Sequence, residues 1–339
     1  MIAPDTHELW FVTGSQHLYG EETIQLVADN ARHIATYLDD EADLALPLVV
    51  KQVMTTPDEL ARMVGQANAD PRCAGLVLWM HTFSPARMWI RFLGELSVPW
   101  VHLHTQFARD LPWADIDMDY MNTHQAAHGD REFGHMASRL RIERKVVAGH
   151  WQDPAVGERL ATWSRAAWAR ADARGARIGR LGDNMREVAV TEGDKVEFQR
   201  VFGYEVNGYG VGEVATRIAE LDEGQITDLC SEYADTYEVA GALLPDGDRH
   251  DSLRTAAAIE LGLRSWLVDE DLVGFTDTFE DLHGLAQLPG IAAQRLMADG
   301  YGFGAEGDWK TAAMVRATKV MGHGRPGGTS FMEDYTYHL

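Results

Sequence analysis

Apolar runs and polar helical stretches alternate along this chain. Leu9 to Val12 with Thr13 form a short apolar run that ends at Gly14, which predicts a buried strand. The loop Gly14-Ser15-Gln16-His17-Leu18-Tyr19-Gly20 follows, and Glu21 and Glu22 open a helical pattern at its positive end. Residues 45–54 predict a second strand. Thr56-Pro57-Asp58-Glu59 then supplies an N-cap, an N1 proline and an N3 glutamate, the start of a helix. The unit recurs: strand Gly75–Met80, then Ser84-Pro85 as another capped start, strand Val98–His104, strand Lys145–Gly149 and a helix over 155–173.

A second series begins at residues 176–181 and ends in the polar turn Gly182-Asp183-Asn184-Met185-Arg186-Glu187. It continues through helical patterns near 211–222, 226–236 and 250–267 and a strand at 273–276. Strands alternating with helices predict right-handed crossovers and parallel sheets, so the class is α/β with two consecutive doubly wound, Rossmann-like domains. The expected domains are 1–175 and 176–327, with 328–339 beginning a third. In such sheets ligands bind beyond the carboxyl ends of the strands. That puts Gln16, Phe83 and the 105–130 loop on one rim.

Composition narrows the function. The 339 residues carry 52 acidic against 30 basic side chains, a formal charge of −22, which repels nucleic acid and anionic membranes. No apolar run approaches the ~20 residues that span a bilayer. The N-terminus lacks the pattern of a secretory signal. Two cysteines, Cys73 and Cys230, are too few for a disulfide framework and fit a cytoplasmic setting, with Cys73 a core residue. The first loop lacks G-x-G-x-x-G, and no P-loop or G-x-S-x-G elbow occurs. Asp115, Asp117 and Asp119 lack the glycine and distal glutamate of a calcium loop and read as acidic surface.

His102 and His104 stand two apart on a strand and share a face, where hydrogen bonding is the expected role. The polar segment 122–134, with Gln125 and His128, suits either a plain loop entering a helix or a sugar-binding loop. Near the end of the chain, Glu306 and Glu333 each follow Gly-rich backbone. Carboxylate oxygens suit hard divalent cations, although spacing alone equally fits two solvated surface groups.

Several strings share one resemblance. Trp10 to Gly20, His81-Thr82-Phe83-Ser84-Pro85-Ala86, Gly182 to Thr191, Thr278 to Leu285, GAEGDWKTAA around Glu306 and GGTSFMEDYTYH around Glu333 resemble the L-arabinose isomerase family, in order and along essentially the whole chain. The resemblance implies a fucose/arabinose isomerase-like fold. It implies conversion of L-arabinose to L-ribulose, and of D-galactose to D-tagatose, with Mn²⁺ or another divalent cation. Glu306 and Glu333 match metal ligands that also act as acid and base. Gln16, Met185 and Phe279 match sugar-pocket positions. Gln125 and His128 match residues given by a neighbouring subunit of a homo-oligomer. Family members continue past the position of Leu339 into a β-rich domain that supplies two histidine ligands. The expectation is therefore half a coordination sphere here, or a catalytically impaired chain that binds sugar without turnover. Phe331, Tyr335 and Tyr337 are the expected exposed apolar patch.

Overall fold

The computed structural model describes residues 2–83, 85–333 and 336–339, apart from the side chain of Asp5. The chain divides into two compact units, Ala3–Ala171 and Asp172–Leu339, with Ile2 belonging to the second.

The first unit contains β1 (Glu8–Gly14), β2 (Leu48–Val50), β3 (Cys73–Met80), β4 (Trp100–His104) and β5 (Lys145–Ala148). They pair in the order β2-β1-β3-β4-β5, and every pairing is parallel. Its helices are α1 (Gly20–Glu41), α2 (Pro57–Ala69), α3 (Met118–Thr123), α4 (Ala126–Arg139) and α5 (Pro154–Asp172). Every residue of β3 is buried, as a continuous apolar run predicts for a strand covered on both faces. Thr56 and Glu59 form the expected reciprocal cap of α2, at 3.3 and 3.2 Å. The strand order reverses between β1 and β3, β2 lying to one side of β1 and β3 to the other, which makes their carboxyl ends the crevice of this sheet.

Sequence and structure part in places. Ser84 lies outside the described residues, and Ala86–Trp89 forms a 3₁₀ turn, not an α-helix. The acidic trio is surface as expected, with Asp117 accepting from the Tyr120 amide at 2.8 Å to cap α3.

The second unit holds β6 (Arg177–Leu181), β7 (Glu205–Tyr209), β8 (Leu272–Thr276) and β9 (Gly302–Gly304), all parallel, in the order β7-β6-β8-β9. Around them run α6 (Lys195–Phe202), α7 (Val211–Ala219), α8 (Glu223–Thr236), α9 (His250–Asp269), α10 (Gly290–Ala298) and α11 (Trp309–Gly322). Trp266, Phe275, Leu181 and Leu296 anchor its core.

Two of these strands escape the apolar pattern for physical reasons. β7 is an edge strand whose Asn207 and Gly208 face water. β9 reads Gly-Phe-Gly because α11 lies directly on its backbone. A Cβ at Gly302 would fall 2.1 Å from the Ala312 carbonyl oxygen, and one at Gly304 2.6 Å from that of Asp308. Gly302→Ala is therefore expected to cost about 3 kcal/mol through overpacking, read as a drop in urea midpoint. A cost below ~0.5 kcal/mol would mean the helix does not rest on the strand. Phe331 corrects one expectation: it is partly buried against Phe303, with centroids 5.6 Å apart. Tyr337 is 80% exposed as expected. Tyr335 lies outside the described residues.

Candidate active site

In the second unit, the turns that follow β6, β8 and β9 interlock at the carboxyl rim of the sheet. The Met185 amide donates to the Glu306 carbonyl at 3.0 Å, and the Gly307 amide to the Asp277 carbonyl at 2.8 Å. The Asn184 side-chain amide donates to the Gly307 carbonyl at 3.1 Å. Arg186 meets Glu280 through both its amide and Nε at 3.1 Å. Met185, Phe279 and Glu306 are thus carried on one laced set of loops.

Glu306 itself has φ 61°, in the left-handed region, and Gly307 follows at φ 82°. Left-handed backbone costs a side-chain-bearing residue about 1–2 kcal/mol, so the turn holds this carboxylate in a strained position. A Cβ at Gly307 would lie 2.6 Å from the Asn184 Cα, which leaves glycine as the residue that fits there.

The chain returns to the same rim after α11. The Ser330 hydroxyl donates to Gln294 at 3.2 Å, and the Phe331 ring seats on Phe303. Glu333 thereby reaches a cavity of about 530 Å³ that Glu306, Phe279 and Asp277 also line. The volume is that of a small-molecule site. Three of the seven residues singled out from sequence, Phe279, Glu306 and Glu333, meet there, and Met185 is tied to it through backbone.

Gln16, Gln125 and His128 lie in the first unit. Gln16 precedes a 3₁₀ turn at the β1/β3 crevice and lines a cavity of about 670 Å³ with His17, Arg87 and Arg91. Gln125 and His128 stand at the start of α4, where the His128 ring contacts Phe83 with centroids 4.2 Å apart.

Beneath this rim is a polar layer that sequence reading only partly anticipated. His102 and His104 do share a face, their rings stacked at 5.7 Å. His102 is 2.8 Å from the carboxylate of Asp130, a buried residue of α4 that also accepts from the Met80 amide at 3.1 Å. Asp130 thus pins the helix bearing Gln125 and His128 to β3 and β4. Burial pushes its carboxyl well above the ordinary carboxylate range.

His81, just after β3, is fully buried, paired with the Asn30 amide at 3.0 Å and stacked on Trp79 at 4.3 Å. Burial, with His124 nearby, pushes its pKa from 6.5 down to about 3. The folded protein therefore keeps His81 neutral while the unfolded chain gains a proton. Its share of stability is complete above pH 6.5 and is lost as pH falls toward 3. Stability at pH 5 is expected to lie about 2 kcal/mol below that at pH 8 from this residue. His81→Gln should remove that difference between pH 5 and pH 8 in stabilities measured by urea unfolding, and an unchanged pH dependence would contradict it.

Asp277 was missed by sequence reading. It is 7% exposed and lines the cavity with Glu306, and burial pushes its carboxyl up to about 7. The available signal was its place as the first residue after a strand of a parallel sheet.

Fold and cavity together define a parallel α/β protein with an acidic cavity at the carboxyl ends of its second unit's strands. Comparison with known proteins carries this further. Residues 3–175 match the L-arabinose isomerase N-terminal domain and residues 177–324 the L-arabinose isomerase central domain. The chain belongs to the L-arabinose isomerase family.

The L-arabinose isomerase of Herpetosiphon aurantiacus is 59% identical over 339 residues, 100% of this chain and 68% of that protein. That of Geobacillus thermodenitrificans is 55% identical over 339 residues, with the same shares covered. That of Mycolicibacterium smegmatis is 55% identical over 332 residues, covering 98% of this chain and 66% of that one. A solved periplasmic component of an ABC-type sugar transport system from Hahella chejuensis covers 94% of this chain and 95% of its own, at 11% identity and a TM-score of 0.20, too low to bear on the fold. Among the described residues no helix is long and apolar enough to cross a membrane.

Proposed function

We propose that this chain isomerises an aldose to the matching ketose, L-arabinose to L-ribulose and also D-galactose to D-tagatose. The observation that carries the reading is the convergence of Glu306 and Glu333, from separate segments, on one cavity in a chain of this family. The reaction moves a proton from C2 to C1 and another between O1 and O2. One carboxylate takes the carbon proton and returns it to the neighbouring carbon, and the second relays the hydroxyl proton. Phe279, 57% exposed at the cavity edge, gives the sugar carbons an apolar wall.

Carboxylate oxygens are donors that Mn²⁺ accepts, so the chemistry of this pair fits a divalent cation. Among the described residues no three ligating side chains come together, so Glu306 and Glu333 provide a share of its coordination. A cation held there supplies charge stabilisation to the sugar oxygens. We further place Gln125 and His128 at a neighbouring subunit's cavity in a homo-oligomer, and the reaction in the cytoplasm. Incubation of the protein with L-arabinose and Mn²⁺ should yield L-ribulose, and chelation should stop it. Absence of ketose at any metal concentration would sink the reading.

A further inference from the structure

The cavity contains a third carboxyl for which the proton transfers above have no use. Asp277 follows β8 directly and lines the cavity beside Glu306, Glu333 and Phe279. Its carbonyl is anchored by the Gly307 amide at 2.8 Å, in the turn that bears Glu306. The side chain is 7% exposed, and its Oδ2 meets no hydrogen-bond partner among the described residues. The neighbouring Thr276 hydroxyl is likewise buried and unpartnered. An unpaired buried oxygen carries its full desolvation cost, and the fold draws no compensating bond from it. A buried carboxyl oxygen that faces a cavity without a protein partner is open to a ligand's hydrogen bond.

We propose that Asp277 is a substrate-binding residue that hydrogen-bonds a hydroxyl of the open-chain sugar and so selects polyhydroxylated ligands over deoxy analogues. The inference rests on the isomerase reading of this cavity. A site built to bond a hydroxyl rejects an analogue lacking it, because the protein group is left unpaired.

Calorimetric titration with L-arabinitol, a polyol that cannot be isomerised, tests this on the full chain with Mn²⁺ present. Asp277→Ala should raise the Kd about tenfold, the worth of one such bond. Asp277→Asn, which keeps the shape, should fall between the two. Neither variant should lower the Tm, since removing an unpartnered buried carboxyl relieves a cost; a structural carboxyl would show the opposite sign. A pentitol lacking the bonded hydroxyl should bind wild type and Asp277→Ala alike. A Kd for Asp277→Ala within twofold of wild type overturns the proposal, as does a wild type that does not bind the polyol. Ketose formation by the wild type separates the two ideas. Ketose formed while Asp277→Ala binds normally rejects this residue's role alone. Polyol bound through Asp277 without any ketose rejects the isomerase reading alone.

Discussion

Glu306→Gln and Glu333→Gln are each expected to lower turnover of L-arabinose by a factor of about 10² to 10⁴, the range that a positioned acid or base supplies. Glutamine keeps the length and one oxygen of the side chain but can neither accept a proton at neutral pH nor carry the negative charge that holds a cation. The loss should fall mainly on kcat, because proton transfer is made in the transition state and not in the bound ground state. Combining the two changes should cost far less than the product of the single effects, since residues acting as a unit are not additive. The strained backbone at Glu306 adds a second readout. Glu306→Gly should abolish turnover without a large loss of stability, because glycine adopts φ near 60° freely. Steady-state kinetics beside thermal melts measure both. Variants that keep turnover within threefold of wild type would remove these carboxylates from the chemistry.

Glu260→Ala is expected to destabilise the second unit by about 3–5 kcal/mol, the cost of breaking a buried ion pair by removing one partner. Glu260 is fully buried on α9. It accepts from the Tyr233 hydroxyl at 2.7 Å, from Arg264 at 2.8 Å and from Arg295 at 3.0 Å. Arg295 goes on to Glu232 and to the Tyr237 hydroxyl, so one carboxylate fixes α10 against α8 and α9. Removing it takes away the partner that Tyr233, Arg264 and Arg295 share, leaving Arg264 to Asp299 and Arg295 to Glu232 and Tyr237. The same helix contributes Ala293 and Gln294 to the cavity. The melting temperature should fall by roughly 10 °C or more. Replacing Glu260 and Arg295 together by leucine and methionine should recover much of it, because the charges then leave as a pair. A loss under ~1 kcal/mol for the single change would show that the network contributes little.

The long apolar and helical periods of the first unit were legible in sequence because its central strands β1, β3 and β4 are buried nearly throughout and read as apolar runs. β9 was not, since its signal is two glycines dictated by the packing of α11 onto its backbone, a demand that apolar periodicity does not record. Likewise the exposed glycine and asparagine of β7 follow from its edge position, which is a property of the sheet and not of the segment. In the site, Phe279, Glu306 and Glu333 were reached through motif resemblance, and their convergence depends on the return of the chain at Ser330 and Phe331. Asp277 was hidden because an aspartate between two threonines reads as an ordinary turn. Only the burial of Oδ2 distinguishes it.

The central claim is that Glu306 and Glu333 jointly form the reactive site, and crystallography of the protein with Mn²⁺ and L-arabinitol tests it most directly. Anomalous scattering at the manganese edge should show one ion bound by both carboxylates, with the polyol beside Phe279 and Asp277. An ion bound elsewhere, or a polyol outside this cavity, would contradict the account.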